Sequence, residues 1–415
     1  MKIVFLTDEI PPDCEGGAGF STFLLAKGLK DLSHEVFIIS GTKNKNKDLL
    51  KTIYKGIEIF YIHSRFNPKF RSFYSVYNPQ ALSVLKRKLI EIKPDVVHAH
   101  NICNTISFAA LRLAKKYVQT VFFTARDTMA ITYGKYWWYI DYNNLEIQKN
   151  FNYKISWLDL LKQAKKSYLP GRSYLIRRYL NKYCSVVFTV SSELKKVFEQ
   201  NGIKDARTIY NGVRADDYKV ITNQEIAEFK RQHHLIDKKI IFCAGRLNGA
   251  KGLNQILAAM AIVKKIMPNA VLVIAAKNDL KKTHEKILKQ LGIENNFIHL
   301  GWLDEDNIKL AYKASDVVVV PSIYLDPFPR INLEAMASKK PVVGTCFGGT
   351  PEVVINNQTG YIVNPLNAEM MARKIIDLLK NFQKAKKFGE AGYQRVINEF
   401  SLEKQVKITL EYYNK

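Results

Sequence analysis

Short runs of Val, Ile, Leu and Phe alternate with amphipathic helical stretches along most of this chain, and that alternation leaves few folds open. Ile3–Thr7 reads as a buried strand. A loop with Gly16, Gly17 and Gly19 follows, then a helix over about Ser21–Leu32 and a strand at Val36–Ser40, a βαβ unit. Further strands are expected at Val96–Ala99, Val121–Thr124 and Val186–Val190. A second series starts at Ile240–Ala244 and continues with strands at Val271–Ala275, Phe297–Leu300, Val317–Val320 and Val342–Val343. Helices are expected after Gly252, through Lys282–Leu291, up to Lys313 and from about Ile331. Repeated βα alternation implies parallel sheets with helices on both faces. Runs such as Val317–Val320 suit strands covered on both sides.

Two series imply an α/β chain of two Rossmann-like domains, in keeping with 415 residues. The reading assigns residues 1–205 to the first domain and 206–400 to the second, with a turn signal at Tyr210-Asn211-Gly212-Val213 and a last helix over about 401–415. Residues 128–182 fit the alternation less well and are read as an insertion in the first domain, rich in Tyr and Trp. The chain carries 63 Lys and Arg against 38 Asp and Glu, a net +25, which favours anionic partners. Cys14, Cys103, Cys184, Cys243 and Cys346 are scattered and form no CxxC pair, which argues against a disulfide framework or zinc site. The apolar N-terminus is too short for a signal peptide, and no run approaches the ~18 apolar residues of a membrane helix. The expectation is a soluble, cytoplasmic protein.

Three clusters carry chemistry. Arg246 follows a buried strand and Lys251-Gly252 opens the next helix, which puts two cations at the C-terminal edge of a parallel sheet, where ligands of open α/β sheets bind. Such cations beside a helix N-terminus suit a diphosphate; the alternative is surface charge on a loop. In Asp326-Pro327-Phe328-Pro329-Arg330-Ile331-Asn332-Leu333-Glu334 the prolines keep Asp326 on a loop, while Glu334 falls near the first turn of a helix. A carboxylate there can accept both hydroxyls of a vicinal diol such as a ribose; the alternatives are a turn residue and a helix-dipole residue. Gly348-Gly349-Thr350-Pro351 combines glycines that let backbone approach a ligand with Thr350 as N-cap; a well-made helix start explains it equally. Asp304-Glu305-Asp306 reads better as helix capping than as a metal motif. His98 and His100 share one side of a strand end and are read as cleft-lining, with no third metal ligand. Arg126 and Asp127 also end a strand.

Together these residues resemble a GT-B glycosyltransferase of glycosyltransferase family four, over nearly the whole chain. The resemblance rests on the N-terminal glycine loop, Asp95-Val-Val-His-Ala-His100, Val190-Ser-Ser192, Tyr210-Asn-Gly-Val213, Gly245-Arg-Leu247 with Lys251-Gly252, Pro321-Ser322, Asp326 to Ala337, Lys340-Pro-Val-Val343 and Gly348-Gly349. It implies two domains whose sheets face across a cleft, with the last helix crossing back to the first domain. It also implies retaining transfer of a sugar from a UDP- or GDP-type donor to a glycan or lipid-linked acceptor, as in surface polysaccharide or glycolipid synthesis. The nucleotide sugar is a co-substrate, and neither cofactor nor metal is expected. On this resemblance Arg246 and Lys251 bind the diphosphate, Glu334 holds the ribose and Asp326 approaches the donor sugar. Gly16 and Gly17 face the diphosphate and acceptor, and Phe328, Arg330 and Ile331 belong to the donor loop. His98, His100, Arg126 and Asp127 fall on the acceptor or donor-sugar side.

Three departures stand out. The first acid of the family's E-x7-E motif is Asp326, a family glycine is Pro329, and the usual histidine after the fourth strand of the first domain is Arg126. They motivate a second reading, a catalytically silent subunit that keeps a nucleotide-sugar site. A nucleic-acid binder is a third, but no nucleic-acid motif supports it. Within 149–182, Lys149, Lys154, Lys162, Lys165, Lys166, Arg172, Arg177, Arg178 and Lys182 accompany Trp157, Leu158, Leu161, Tyr174 and Leu175, with one acid, Asp159. That composition suits an interfacial segment on the inner face of an anionic membrane; the alternative is a helix pair packed by its apolar side.

Overall fold

In a computed structural model the chain is described over residues 1–415 except 15, 43, 65–67, 248 and 278. It divides into two compact units. The first comprises Met1–Tyr136, Asn152–Gly212 and Leu402–Lys415; the second comprises Trp137–Phe151 and Val213–Ser401. The division falls at Gly212, not at residue 205. Residues 137–151 group with the second unit, although the sequence reading placed them in a first-domain insertion. The last helix, Leu402–Tyr413, belongs to the first unit.

The first unit is built on an eight-stranded sheet: β1 Lys2–Thr7, β2 Glu35–Thr42, β3 Lys51–Tyr54, β4 Ile57–His63, β5 Val96–His100, β6 Thr120–Ala125, β7 Val186–Thr189 and β8 Ala206–Thr208. The spatial order is β3-β4-β2-β1-β5-β6-β7-β8, and only β3 runs antiparallel to its neighbour. The β3–β4 hairpin escaped the sequence reading; it turns at Lys55-Gly56, both with positive φ, as a two-residue hairpin loop requires. The first long helix starts at Gly17, four residues before the expected Ser21, and runs to Asp31. Leu402–Tyr413 packs on it so closely that a Cβ on Gly28 would meet Val406 at 2.6 Å. The Tyr413 ring stacks on Phe122 at 5.1 Å, so this helix caps a core containing Ile3, Phe5, Phe122 and Phe188.

The second unit has six parallel strands: β9 Lys239–Ala244, β10 Ala270–Ala275, β11 Phe297–His299, β12 Val317–Val320, β13 Val342–Thr345 and β14 Gly360–Val363. Their order is β11-β10-β9-β12-β13-β14. All of Val317–Val320 is buried, as the apolar run predicts for a covered central strand. The chain moves outward from β9 through β10 to β11, then returns to the other side of β9 as β12. The loops after β9 and β12 therefore diverge at a switch point, where an open parallel sheet leaves a crevice at its C-terminal edge. The expected helix Lys282–Leu291 is two shorter ones, Leu280–Thr283 and Glu285–Leu291.

Candidate active site

The switch point of the second unit brings together Lys251 of the first cluster and Asp326 of the second. Lys251 lies on the β9 side and Asp326 on the loop after β12, and Lys251 Nζ meets Asp326 Oδ2 at 2.5 Å. The Ser322 hydroxyl donates to the same oxygen at 3.1 Å. Backbone ties fix both loops: Ile323 N–H donates to Ala250 O (2.9 Å) and Gly349 N–H to Asp326 O (2.9 Å). Gly252 is left-handed (φ 76°), and a Cβ there would run into the Pro321 carbonyl, so only glycine lets the two loops approach. Asp326 is 7% exposed and Lys251 25%. Burial by itself would lower the Lys251 pKa; the Asp326 carboxylate and the Tyr324 hydroxyl more than offset it, so the ammonium is held above its ordinary value. Arg246 lies two residues past β9 and is exposed.

Glu334 sits in the helix Arg330–Ala337 just past its first turn, as expected, with Pro329 as the N-cap. Its Oε1 accepts from Arg330 Nε (3.1 Å) and Nη2 (2.9 Å), and its Oε2 accepts from the Tyr312 hydroxyl at 2.7 Å. Burial first, then the Glu334 charge, holds the Tyr312 phenol well above its ordinary pKa, so it stays a donor. Oε1 already accepts two bonds, so the lone-pair capacity left for a ligand hydroxyl is on Oε2. Arg330 is thus committed to Glu334. The Phe328 ring is buried against Phe400 at 5.8 Å, and Ile331 is half-buried.

Gly348 is left-handed (φ 68°), and a Cβ there would strike the Asp326 backbone, so the close approach is to the protein's own chain. The N-cap of the next helix is Gly349, not Thr350, whose hydroxyl instead accepts from Asn332 Nδ2 at 3.1 Å. Asp304 caps its helix by accepting from Asp306 and Asn307 N–H. Among the described residues no group of three or more His, Cys, Asp and Glu could hold a metal ion.

The first unit holds the remaining candidates. Gly16 is the N-cap of Gly17–Asp31, and Gly17 is exposed at that helix start. The expectation that His98 and His100 line a cleft is wrong: both are fully buried. His98 Nδ1 is 2.6 Å from the Tyr413 hydroxyl and Nε2 is 2.7 Å from Thr124 Oγ1. The His98 and His100 rings lie 4.1 Å apart, as their shared strand face predicts. Burial and the neighbouring charge of Arg126 hold both well below the ordinary histidine pKa, hence neutral. Arg126 is buried; it donates from Nη1 to Asn211 Oδ1 and from Nε to His100 Nδ1 at 3.4 Å. Asp127 accepts from Asn101 Nδ2 (3.0 Å) and from Met129 N–H (2.8 Å).

The sequence reading missed Ser322, Tyr312, Asn211 and Asp8. Asp8 follows β1, and its carboxylate accepts the backbone N–H groups of Asn104 (2.5 Å), Thr105 (2.8 Å) and Ile106 (3.0 Å). An acid just past a strand's C-terminal end was the available signal. Burial outweighs these donors and pushes its pKa up from 3.8 to about 6. The folded state therefore holds a proton between pH 4 and 6 that the unfolded chain has lost. Asp8 should contribute stability that fades as pH rises through that window, by about 3 kcal/mol in all. Denaturant titrations at pH 4.5 and 7 on wild type and Asp8→Asn check this: the variant should lack that share of the slope.

Two family profiles match this chain: "Glycosyltransferase Family 4" over residues 15–217 and "Glycosyl transferases group 1" over residues 225–395. The chain belongs to the group 1, family 4 glycosyltransferases, and its fold is GT-B. It is 26% identical over 423 residues to an uncharacterized glycosyltransferase of Methanocaldococcus jannaschii, covering 100% of this chain and 98% of the relative. Sucrose-phosphate synthase from Thermosynechococcus elongatus superposes with a TM-score of 0.79 at 18% identity, covering 100% and 98% of the two chains. HepE from Anabaena in complex with UDP gives 0.73 at 19%, covering 100% of each.

Proposed function

We propose that this glycosyltransferase transfers a hexose with retention from a UDP- or GDP-sugar to a glycan or lipid-linked acceptor in surface polysaccharide or glycolipid synthesis, without a required metal. The observation that carries this is the Lys251–Asp326 pair at the switch point, with Glu334 oriented nearby in sequence by Arg330 and Tyr312. The Anabaena relative has been described with UDP-glucose as well as UDP, which supports a nucleotide-sugar donor here.

The charges suggest the roles. The diphosphate draws the Lys251 ammonium and the exposed Arg246 guanidinium, which stabilise charge developing on the leaving nucleotide, the task a metal performs elsewhere. Asp326, relieved of Lys251, accepts from hydroxyls of the donor sugar. Glu334 accepts from the ribose. Retention then follows a front-face path in which the leaving phosphate assists the incoming hydroxyl. Nucleotide release from a panel of UDP- and GDP-sugars, with acceptor extract and in EDTA, tests the proposal. Binding of a nucleotide sugar without turnover would favour the silent-subunit reading instead.

Glu334→Gln should weaken UDP or GDP binding by about 10–100-fold, since it removes a charge-assisted bond to the ribose and leaves Arg330 without its carboxylate. Asp326→Asn should change that affinity less than threefold while lowering transfer. Calorimetry with UDP and GDP checks the contrast; equal losses in both variants would overturn the division of roles.

A membrane-docked acceptor side is supported by the 149–182 segment. In the helix Trp157–Ala164 only Ala164 is buried, and Trp157 (64%), Leu158 and Leu161 are exposed beside Lys162, Lys165 and Lys166. The packed-helix alternative fits the second helix, Arg172–Tyr183, whose Ile176 and Leu180 face inward. No helix among the described residues is long and apolar enough to cross a membrane. Each cation near an anionic leaflet contributes about 1 kcal/mol. The protein should co-sediment with phosphatidylcholine–phosphatidylglycerol vesicles and not with pure phosphatidylcholine. Binding should fall with salt and drop at least tenfold when Lys162, Lys165, Lys166, Arg177 and Arg178 become Gln.

A further inference from the structure

We propose that residues 137–151 form a strap that positions the sugar side of the donor site, with Gln148 and Asn364 as positioning residues for the Lys251–Asp326 pair. The proposal rests on the donor-site reading above. The segment has no regular secondary structure, and residues 141–147 are all exposed, so little apolar burial holds that stretch. Specific polar groups do. Gln148 closes it into a loop: Oε1 accepts from Asp141 N–H (3.1 Å), and Nε2 donates to the carbonyls of Asp141 (2.7 Å) and Asn144 (2.9 Å). Asn364, just past β14 and buried, donates Nδ2 to the carbonyls of Asn144 and Glu146, both at 2.8 Å.

What the strap then touches leads directly to the ion pair. The Phe347 ring is fully buried against Tyr139 (6.3 Å) and Phe151 (6.0 Å). The next residue, Gly348, lies against the Asp326 backbone, and Gly349 N–H donates to Asp326 O at 2.9 Å. On the other side the Tyr142 hydroxyl donates to Ile323 O at 3.4 Å, and Ile323 N–H donates to Ala250 O, one residue before Lys251. The Lys251 and Asp326 backbones are thus both braced by loops that the strap holds. Electrostatic stabilisation requires fixed charges, and a misplacement of about 1 Å is costly. None of these contacts reaches Glu334, so the strap should govern the sugar, through Asp326, and the diphosphate, through Lys251, more than the nucleoside.

Asn364→Asp tests this, because it keeps an oxygen to accept Leu366 N–H and replaces the amide that grips the strap with an oxygen that repels the two carbonyls. Hydrogen exchange without ligand should accelerate at least tenfold in 141–149 and also in 322–326 and 346–349. UDP-glucose binding should fall at least fivefold and UDP binding by clearly less, because UDP keeps the Lys251 contact and lacks the sugar that Asp326 holds. Acceleration confined to 141–149, or equal losses for UDP and UDP-glucose, would overturn the proposal. If Asn364→Asp fails to fold, Gln148→Ala opens the loop without altering β14 and should give the same pattern. A wild-type protein that binds none of UDP, GDP and their sugars would remove the donor-site reading, and the exchange comparison would still decide whether the strap holds these loops.

Discussion

Lys251→Ala and Arg246→Ala should each lower turnover by about 10²–10³, the usual cost of removing one donor aimed at developing charge. Only Lys251→Ala should also lower stability. Arg246 is exposed, and truncating an exposed side chain changes stability by less than about 0.5 kcal/mol. Lys251 neutralises a carboxylate that is 7% exposed. Breaking a fully buried pair costs about 3–5 kcal/mol; with Lys251 itself a quarter exposed and Ser322 still donating, about 1–3 kcal/mol is expected here. The double variant Lys251→Ala/Asp326→Asn separates the two effects. It removes the stranded charge, so most of the stability should return while turnover stays lost. Denaturant unfolding alongside nucleotide release makes the measurement. Wild-type turnover in either single variant, correctly folded, would remove the diphosphate assignment. Recovery of turnover in the double variant would mean that Lys251 serves only to neutralise Asp326.

That ion pair marks the boundary of what the sequence could reveal. The apolar runs located ten of the fourteen strands, all but β3, β4, β8 and β14, and placed β9, β12 and β13 well, since a buried parallel strand is a continuous apolar run. With those strands placed, Lys251 and Asp326 fall on the same sheet edge. Their contact does not follow from spacing, because it depends on β9 pairing with β12, which brings together two residues 75 apart in sequence. Local signals failed where a residue did an unusual local job. Lys55 adopts a left-handed conformation that Asn or Gly more often marks, so the β3–β4 hairpin was missed. Gly16 starts its helix with no capping side chain, so nothing in the sequence marks a start four residues before Ser21. Residues 137–151 follow first-unit sequence, and only contacts with residues about two hundred positions later, among them Asn364, Ile323 and Phe347, reveal the unit they join. His98 was misread because a histidine at a strand end suits a ligand site, whereas here Tyr413 and Thr124 occupy both ring nitrogens.

Arg126→Ala should destabilise the first unit by about 2–5 kcal/mol, a larger loss than Lys251→Ala causes. Arginine is donor-only, so its Nε bond to His100 Nδ1 puts the His100 proton on Nε2. A neutral ring is what the depressed pKa of His100, set by burial and then by the charges of His98 and Arg126, requires. Truncation leaves His100 Nδ1 and Asn211 Oδ1 without the guanidinium in buried positions, at about 1–3 kcal/mol for each stranded acceptor, and opens a cavity beside them. Arg126→Lys keeps the charge but lacks the planar fork that reaches two acceptors, so its loss should be intermediate. Arg126→His, which restores the residue usual in the family, should not recover stability, because a neutral imidazole cannot donate to His100 and Asn211 together. Calorimetric unfolding of the four proteins gives the order wild type, Lys, then His and Ala. Turnover per folded molecule should stay within about threefold of wild type if the guanidinium acts only on these two partners. Unchanged unfolding with lost turnover would instead show that Arg126 meets an anionic substrate, and its replacement of the family histidine would then be catalytic.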